Sequence, residues 1–355
     1  MRYFKNTEEF VFGKAVFCGI DVHKKDWIVC FVCDGEVVEK QRIPADFNRL
    51  EKMLMSYAGA RSIQLVYEAG FCGFWLYRRL RAHGYLCTVT PPSLVPDSGS
   101  KVKTDNRDAQ SLAFYLAAGL LKAVYVPPVE VESDRRIIRR RNQLRKALTR
   151  DKNQIKSFLH LHDIAMPADV RSKWSRAYLA WLASLSWSSP TDAFTMGSLL
   201  RSYARHREEL VLATRYLRQL SRTEPYADNF KRLCALPGVG LITAMTFLLE
   251  IHDFARFKGG DQFASYLGLT PAQFSSGPHV RLGHITRQGN AHVRGALVES
   301  AWTVIRYDPH LRAKYERIRA RGTNGKKAIV AVARSLAIRL RRCLLDETPY
   351  VVGVC

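Results

Sequence analysis

Apolar positions in the first third of the chain form short, β-branched runs that end at turn residues. Residues 15–23, 26–33 and 36–43 are three such runs, and the Asp-Gly turn between the last two is typical of a β-hairpin. Two more runs, 63–70 and 85–90, each follow a segment whose apolar residues have helical spacing. This pattern predicts an α/β domain with three consecutive strands, followed by strands that alternate with helices.

The pattern becomes helical after the Pro127-Pro128 pair, which marks a domain boundary. The heptads in the long helices beyond it are too irregular to establish a coiled coil from periodicity alone. We therefore predict an α/β domain, a basic helical or coiled-coil region and a mainly α-helical C-terminal domain, which span residues 1–128, 129–225 and 226–355.

The charge of the chain points to a polyanionic partner. Its 355 residues include 55 lysines and arginines against 32 acids, a formal net charge of +23. A soluble protein this basic usually binds nucleic acid. The chain has no run of 18 apolar residues and no signal-peptide pattern at its N-terminus. We therefore expect a cytoplasmic protein with no membrane contact.

Four carboxylates stand at positions where they can converge. Asp21 and Glu68 each end an apolar strand, where an unpaired acid is costly. Asp105 and Asp108 lie three residues apart at the start of a predicted helix, so they share one helical face. By themselves, Thr104 or Asp105 could cap this helix and Asp108 could complement its dipole. Together, the four acids favour a Mg²⁺ or Mn²⁺ site, because clustered carboxylates repel one another without a divalent cation.

These acids lie in segments that resemble a known family. Residues 19–24 (GIDVHK), 67–70 (YEAG) and 103–109 (KTDNRDA) resemble the acidic motifs of the DEDD transposases of bacterial insertion sequences, which are also called bridge-RNA-guided recombinases. The resemblance implies a RuvC-like, RNase H-type fold for the first domain, which the predicted order of strands and helices matches. It also implies catalytic, metal-binding roles for Asp21, Glu68, Asp105 and Asp108.

A second set of motifs resembles the C-terminal serine transposase domain of the same family. It comprises residues 263–271, 274–277 and 283–294. In that family the serine just before the glycine of the Ser-Gly step is the nucleophile, and this position is Ser276 here. Ser275 precedes it and is the alternative if the register differs by one residue.

The surroundings of Ser276 add weight to this role. A serine in a loop is most often a turn former. However, Arg281, Arg287 and Arg294 follow closely, and guanidinium groups can bind a scissile phosphate through two hydrogen bonds. Residues 271–345 contain 15 lysines and arginines against three acids. We predict that Ser276 lies in a loop flanked by phosphate-binding arginines.

A cationic helix is predicted just after the domain boundary. Residues 135–160 include ten lysines and arginines and one acid. Solvated helix faces usually interleave both charges and nothing neutralises this one, so contact with the phosphates of DNA or RNA is favoured over a solvated face. The predicted nucleic-acid-binding residues are Arg135, Arg136, Arg139, Arg140, Arg141, Arg145 and Lys146.

The Pro-Gly-Val-Gly segment at residues 237–240 has two interpretations. Gly238 and Gly240 can belong to a helix-hairpin-helix, whose backbone amides bind a phosphate at a helix N-terminus. They can equally form a tight turn between two packed helices. The sequence does not choose between these interpretations.

Together these residues predict a DNA transposase or recombinase. A serine–phosphate ester would conserve bond energy between cutting and rejoining, and divalent metal ions would assist the attack. The resemblance further implies donor and target DNA, a noncoding bridge RNA, and a homo-oligomer (dimer or tetramer) whose subunits complete one another's sites. One alternative is a RuvC-like, metal-dependent nuclease that resolves branched DNA with water as nucleophile. Another is a nucleic-acid-binding protein with an inactive site, which the presence of all four acids disfavours.

Overall fold

The computed structural model describes residues 7–96, 105–276 and 279–353. The chain divides into two compact units, residues 1–126 and 127–355. The predicted helical region and the predicted C-terminal domain both fall in the second unit. There, Ile138 and Leu217 of the former pack in the same hydrophobic core as Leu297 of the latter.

The first unit is built on one five-stranded sheet. Its strands are β1 (Ala15–Val22), β2 (Asp26–Cys33), β3 (Glu36–Pro44), β4 (Ser62–Glu68) and β5 (Leu86–Thr90). Their spatial order is β3-β2-β1-β4-β5. The first three strands are antiparallel neighbours, whereas β4 and β5 run parallel to β1. The Asp34-Gly35 turn joins β2 to β3, and both of its residues have positive φ, as a tight hairpin turn requires.

Helices cover both faces of this sheet. They are α1 (Thr7–Val11), α2 (Phe47–Met55), α3 (Trp75–Ala82) and α4 (Asp105–Ala117). Side chains alternate along β1, so Ile20 packs with Leu50 of α2 and Leu80 of α3 on one face. On the other face, Cys30 of β2 packs with Ala109 of α4. Burial on both faces explains the nearly continuous apolar runs of the central strands.

The strand and helix predictions for this unit are confirmed. The observed strands begin and end within about two residues of the predicted runs. The mixed α/β character of the N-terminal part and the helical character of the rest also agree with the prediction. Among the described helices, none combines the length and the apolar character that a membrane span requires.

The second unit is mainly helical. Its helices are α5 (Val129–Leu161), α6 (Arg176–Ser184), α7 (Pro190–Leu220), α8 (Ala227–Cys234), α9 (Leu241–Ile251), α10 (Gly260–Tyr266), α11 (Ala291–Val304), α12 (Pro309–Ala320) and α13 (Gly325–Leu345). The two longest, α5 and α7, form an antiparallel pair, since Arg141 bonds to Thr214 and Asp151 bonds to His206. The apolar helix α9 packs against α5, α8 and α11 at the centre of the core.

A β-hairpin interrupts the helices between α10 and α11. Strands β6 (Pro271–Ser276) and β7 (His279–Ile285) pair antiparallel. The prediction that Ser276 lies in a loop is therefore wrong, because Ser276 is the last residue of β6 and is in register with His279. Proline and glycine are generally depleted in strands, and their presence in this segment concealed its strand pattern.

Candidate functional site

Asp21 and Glu68 lie side by side at the carboxyl ends of the neighbouring parallel strands β1 and β4. Strands β1 and β4 are parallel with Ile20 opposite Tyr67, so the next pair along both strands is Asp21 and Glu68. Ile20 and Tyr67 enter the core on the α2–α3 face, which directs both acids to the opposite face. Nδ1 of His23 lies 3.6 Å from Oδ2 of Asp21 and adds a polar side chain to the same end of the sheet.

Helix α4 crosses this face directly over β1. A Cβ atom built on Gly19 would lie 2.0 Å from the carbonyl oxygen of Ala109 and 2.7 Å from the amide nitrogen of Ala113. Only glycine permits so close an approach of helix and strand. Because Ala109 directly follows Asp108, this contact brings the first turn of α4 to the face that carries Asp21.

The carboxylates at this end of the sheet have the chemistry of a hard-metal site. Asp108 is partly buried in the first turn of α4, whereas the side chain of Asp105 is outside the described part of the structure. Among the described side chains, no three His, Cys, Asp or Glu residues are grouped closely enough to hold one metal ion. Asp21, Glu68 and Asp108 are thus not grouped around one ion position in this structure, and the metal-binding role predicted for them and for Asp105 stays a prediction. Carboxylate oxygens still match Mg²⁺ or Mn²⁺ in type.

The predicted nucleophile lies at the end of a strand in the second unit. The backbone of Ser276 pairs with His279, and Ser275 is opposite Val280. The side chains of residues 274–282, which include Arg281, are outside the described part of the structure. The roles predicted for Ser276, for the alternative Ser275 and for Arg281 therefore stay predictions.

The two ends of the hairpin are joined at a base that we define as residues 266–270 and 286–290. The amide of Asn290 donates to the carbonyl oxygen of Tyr266 at 3.2 Å. Gly289 has φ +95°, and a Cβ atom there would lie 1.9 Å from the carbonyl oxygen of Tyr266. The glycine of the Gln-Gly-Asn motif is therefore required for the close crossing of the two segments.

Two of the predicted phosphate-binding arginines lie at or beside this hairpin base. Nη1 of Arg294 donates to the carbonyl oxygen of Leu267 at 2.8 Å. Burial, and then the nearby charge of Arg287, lower the pKa of Arg294. Arg287 is exposed and has φ +55°. Arg294 thus takes part in the fold of the hairpin base, whereas Arg287 is exposed.

Glu250, near the end of α9, is a buried carboxylate that binds arginines of α5. Its side chain is 0% exposed. It accepts hydrogen bonds from Nε and Nη2 of Arg139 at 2.8 and 2.9 Å, and from Nδ2 of Asn290 at 2.9 Å. Nε of Arg135 lies 3.9 Å from its Oε2. Burial by itself raises the pKa of Glu250, but the hydrogen bonds and charges of these partners outweigh burial and lower it.

The prediction that nothing neutralises the cationic helix is wrong for part of α5. Arg139 is paired with Glu250, which also raises the pKa of Arg139. Nε of Arg135 donates to a backbone carbonyl of α9 at 2.9 Å, and Nε of Arg141 donates to Oγ1 of Thr214 at 3.0 Å. These partners are 73 to 114 residues away in the chain, so the local sequence could not reveal them.

Besides Arg139, whose side chain is 48% exposed although it is paired, four of the cations predicted to bind nucleic acid are exposed. They are Arg136, Arg140, Arg145 and Lys146, which we call the exposed cations of α5. Arg136 makes an exposed ion pair with Glu132 at 3.3 Å, one turn earlier in the helix. The phosphate contacts predicted for this helix can be made by these four side chains without disturbing the core.

The Pro-Gly-Val-Gly turn joins α8 to α9 and packs against α11. Gly238 has φ +100°, and a Cβ atom there would lie 3.0 Å from Cβ of Thr303. Close packing of helices therefore accounts for Gly238. Gly240 is the N-cap of α9, and a Cβ atom there would meet nothing within 4 Å. A phosphate role for the two glycines stays a prediction.

Sequence reasoning missed Glu250 and Asn290. Glu250 is the single acid of α9, and an acid in so apolar a helix signals a buried partner. Asn290 is the N-cap of α11 and accepts from the amides of His292 and Val293. An Asn just before a helical run is a helix-start signal, but it does not reveal the second contact with Glu250.

Profiles of known protein families match parts of both units. A profile of the DEDD transposases of IS110 type matches residues 18–163, and a profile of the Transposase IS116/IS110/IS902 family matches residues 230–316. The first match contains Asp21, Glu68, Asp105 and Asp108, and the second contains Ser276. These matches define the class of the protein as a transposase, an enzyme that cleaves and rejoins DNA.

Individual known proteins are similar to this chain over most of its length. The protein y4qE of Sinorhizobium fredii, named as a transposase, is 32% identical over 91% of this chain and 87% of its own length. The transposase for insertion sequence element IS1111A of Coxiella burnetii is 24% identical over 94% of this chain and 91% of its own length. The transposase for element IS1533 of Leptospira borgpetersenii is 27% identical over 70% of this chain and 72% of its own length. The chain belongs to the IS116/IS110/IS902 family of transposases.

Proposed function

We propose that this transposase cuts and rejoins DNA through a covalent serine–phosphate intermediate, and that the acids of its first unit bind a divalent metal. The observation that carries the proposal is the adjacent position of Asp21 and Glu68 on the sheet face that α4 crosses. The sheet order β3-β2-β1-β4-β5, with only β2 antiparallel to both of its neighbours, supports an RNase H-like, RuvC-type fold for this unit.

The metal in this proposal is Mg²⁺ or Mn²⁺. Asp21, Glu68 and Asp108 would hold it, and Asp105, as the first residue of α4, would be a further ligand. When bound, the ion supplies Lewis-acid polarisation of a phosphate oxygen. The hard carboxylate donors support this choice of metal over zinc or copper.

The serine step conserves the energy of the DNA backbone. The Oγ atom of Ser276 attacks the phosphorus and loses its proton, while the bond from phosphorus to the leaving deoxyribose oxygen breaks and that oxygen takes up a proton. A phosphodiester is thereby exchanged for a serine phosphodiester of similar energy. A deoxyribose hydroxyl from the partner strand then attacks the same phosphorus, and Ser276 leaves. No external energy source is needed for either exchange.

Arginines beside the hairpin support phosphate binding in this step. Arg287 lies close enough to Arg294 to lower its pKa, so the two guanidinium groups repel each other. A phosphate near them would relieve this repulsion and accept hydrogen bonds from both. Arg281, in β7 opposite Phe274, is the third predicted member of this group.

The partners in this proposal are nucleic acids. Donor and target DNA are the substrates, and the exposed cations of α5 would contact their phosphates or those of a noncoding bridge RNA. The net charge of +23 supports a polyanion surface larger than one active site. We also propose that the protein acts in the cytoplasm as a homo-oligomer, a dimer or tetramer, in which the acids of one subunit and Ser276 of another complete one site.

The test is a stalled recombination reaction on nicked DNA, with the purified protein, Mg²⁺ and RNA from its host. The wild-type protein should be recovered covalently joined to a DNA end. Ser276→Ala should lose both this adduct and recombination, whereas Ser275→Ala should retain them. The reverse result would move the nucleophile to Ser275. Recombination by Ser276→Ala at the wild-type rate would overturn the serine step.

The alternative is a metal-dependent nuclease that resolves branched DNA with water as nucleophile. The same strand-end acids would serve it, since they bind metal in either reaction. The two functions differ in one product: the nuclease releases a free phosphate end and never a protein–DNA adduct. Cleavage of branched DNA by Ser276→Ala, with no adduct from the wild-type protein, would favour this alternative.

A further inference from the structure

The hairpin that carries Ser276 is attached to its unit through a compact set of polar contacts. Besides the crossing of Gly289 and Tyr266, the amide of Thr286 donates to the carbonyl oxygen of Thr270 at 2.9 Å. These bonds join the two ends of the hairpin to each other. They do not by themselves fix the direction in which the hairpin leaves the helical core.

Leu267 and Leu269 of the hairpin base are buried in that core, and Arg294 of α11 bonds to Leu267. A further polar contact, made by Asn290, links the base to α9. The side chain of Asn290 caps α11 through its Oδ1 atom, which accepts from the amides of His292 and Val293 at 3.0 and 3.1 Å. Its Nδ2 atom therefore has to point the other way, and it donates to Oε2 of Glu250 at 2.9 Å. Through Arg139, Glu250 extends this connection to α5.

The chemistry of this connection requires a carboxylate at position 250. Glu250 accepts three hydrogen bonds on two oxygens, two from Arg139 and one from Asn290. Arginine has only donors, and the cap bonds fix the amide of Asn290 as a donor here. A glutamine at this position would place an NH₂ group against one of these donors, because only one of its two terminal atoms accepts.

We propose that Glu250 is a positioning residue for strand exchange, which holds the base of the β6–β7 hairpin to α5 and so sets where the nucleophile meets the DNA phosphate. This role rests on the proposed function of Ser276. Glu250 itself touches no substrate. Displacement of a reacting atom by about 1 Å can cost on the order of a hundredfold in rate, so a rigid attachment has a direct effect on the reaction.

The first experiment measures amide hydrogen exchange in the full chain, wild type and Glu250→Gln. The amides of Thr286 and Asn290, which close the hairpin base, should exchange at least about tenfold faster in the variant. The amides of β1 and β2, which pack in the separate core of the first unit, serve as the internal reference and should keep their rates. Unchanged exchange at Thr286 and Asn290 would overturn the proposal, whatever the chemistry of Ser276.

The second experiment measures recombination and DNA binding with matched variants. Glu250→Gln should lower the recombination rate by at least about tenfold, with less than about a threefold change in the Kd for DNA. Asp308→Asn is the control, because Asp308 is also a buried carboxylate, 0% exposed, that pairs with an arginine, Arg339, at 3.1 Å. If Asp308→Asn lowers the thermal stability and the recombination rate as much as Glu250→Gln does, the positioning role is overturned.

A double variant tests the interaction itself. Glu250→Gln combined with Asn290→Asp exchanges amide and carboxylate, so the new amide donates to the new carboxylate while the cap acceptor is kept. The recombination rate of the double variant should be higher than that of Glu250→Gln. A double variant that recombines more slowly than Glu250→Gln would overturn the proposed link.

The adduct assay separates this proposal from the serine mechanism. If wild-type protein forms no adduct but the exchange results hold, the serine mechanism fails and the attachment of the hairpin stands.

Discussion

Gly19 of β1 and Ala109 of α4 are so close together that a Cβ atom on Gly19 would lie 2.0 Å from the carbonyl oxygen of Ala109. This close approach sets the height of α4 above the sheet. Asp21 follows Gly19 by two residues, and Asp108 precedes Ala109 by one. The separation of the helix acids from the strand acids therefore depends on the absence of a side chain at Gly19.

Gly19→Ala should disturb the acidic site by lifting α4 from β1. We expect a loss of roughly 1–3 kcal/mol in the free energy of unfolding of the first unit, the usual cost of overpacking, together with loss of recombination. Thermal unfolding and a recombination assay measure the two effects. Gly59→Ala is the control, because a Cβ atom there would meet only the exposed ring of Phe12, at 3.1 Å. Equal behaviour of the two variants would contradict the packing argument.

Asp108→Asn and Asp105→Asn should each abolish recombination and leave nucleic-acid binding nearly intact. The amide keeps the shape of the side chain but removes the charge that a divalent cation requires. Binding is measured by fluorescence anisotropy, and metal affinity by Mn²⁺ titration. Asp46→Asn, in which asparagine still caps α2 as Asp46 does now, is the matched control. Recombination by Asp108→Asn at the wild-type rate would remove Asp108 from the site.

The exposed cations of α5 should account for the salt dependence of binding by this helix. Replacing Arg140, Arg145 and Lys146 by glutamine should reduce the slope of log K against log salt by about one unit for each phosphate that the helix no longer binds. Arg139→Gln is a poor probe of binding, because it leaves Glu250 buried without its main partner. An unchanged slope in the triple variant would assign these cations to a solvated face.

Gly289→Ala should distort the hairpin base. The residue has φ +95° and a Cβ atom would lie 1.9 Å from the carbonyl oxygen of Tyr266, so strain and collision act together. We expect recombination to be lost while α5 and α7 remain folded, as measured by far-ultraviolet circular dichroism. Gly259→Ala, where a Cβ atom meets nothing within 4 Å, should retain activity. An active Gly289→Ala variant would mean that the crossing tolerates rearrangement.

The contribution of Glu250 to stability should depend on pH. Its pKa is lower in the folded protein than in the unfolded chain, so the unfolded chain binds the proton first as the pH falls. The stabilisation is therefore complete above the ordinary glutamate pKa and is lost as the pH falls through the folded value. The difference in unfolding free energy between wild type and Glu250→Gln should be constant near neutral pH and should shrink below about pH 4. Urea unfolding from about pH 7 to about pH 3.5 measures it.

Local sequence determined the elements of the first unit, because each is encoded within a few residues. The alternation of apolar positions defines the strands, and the Asp34-Gly35 pair specifies the turn from β2 to β3. The ends of two such strands also identified Asp21 and Glu68 as candidates, since an acid there is costly unless it has a partner. That the two acids are neighbours depends on the register of β1 and β4, which are separated by two other strands in the chain.

Tertiary structure alone decided which charges of the second unit are available. Ten cations and one acid in residues 135–160 look uncompensated in the sequence, yet Glu250 neutralises Arg139 from 111 residues away. The hairpin of Ser276 was missed for a similar reason, because its proline and glycine content opposes a strand locally while pairing with β7 stabilises one. Periodicity is a property of neighbouring residues, whereas ion pairs and strand pairs form between segments that only folding brings together.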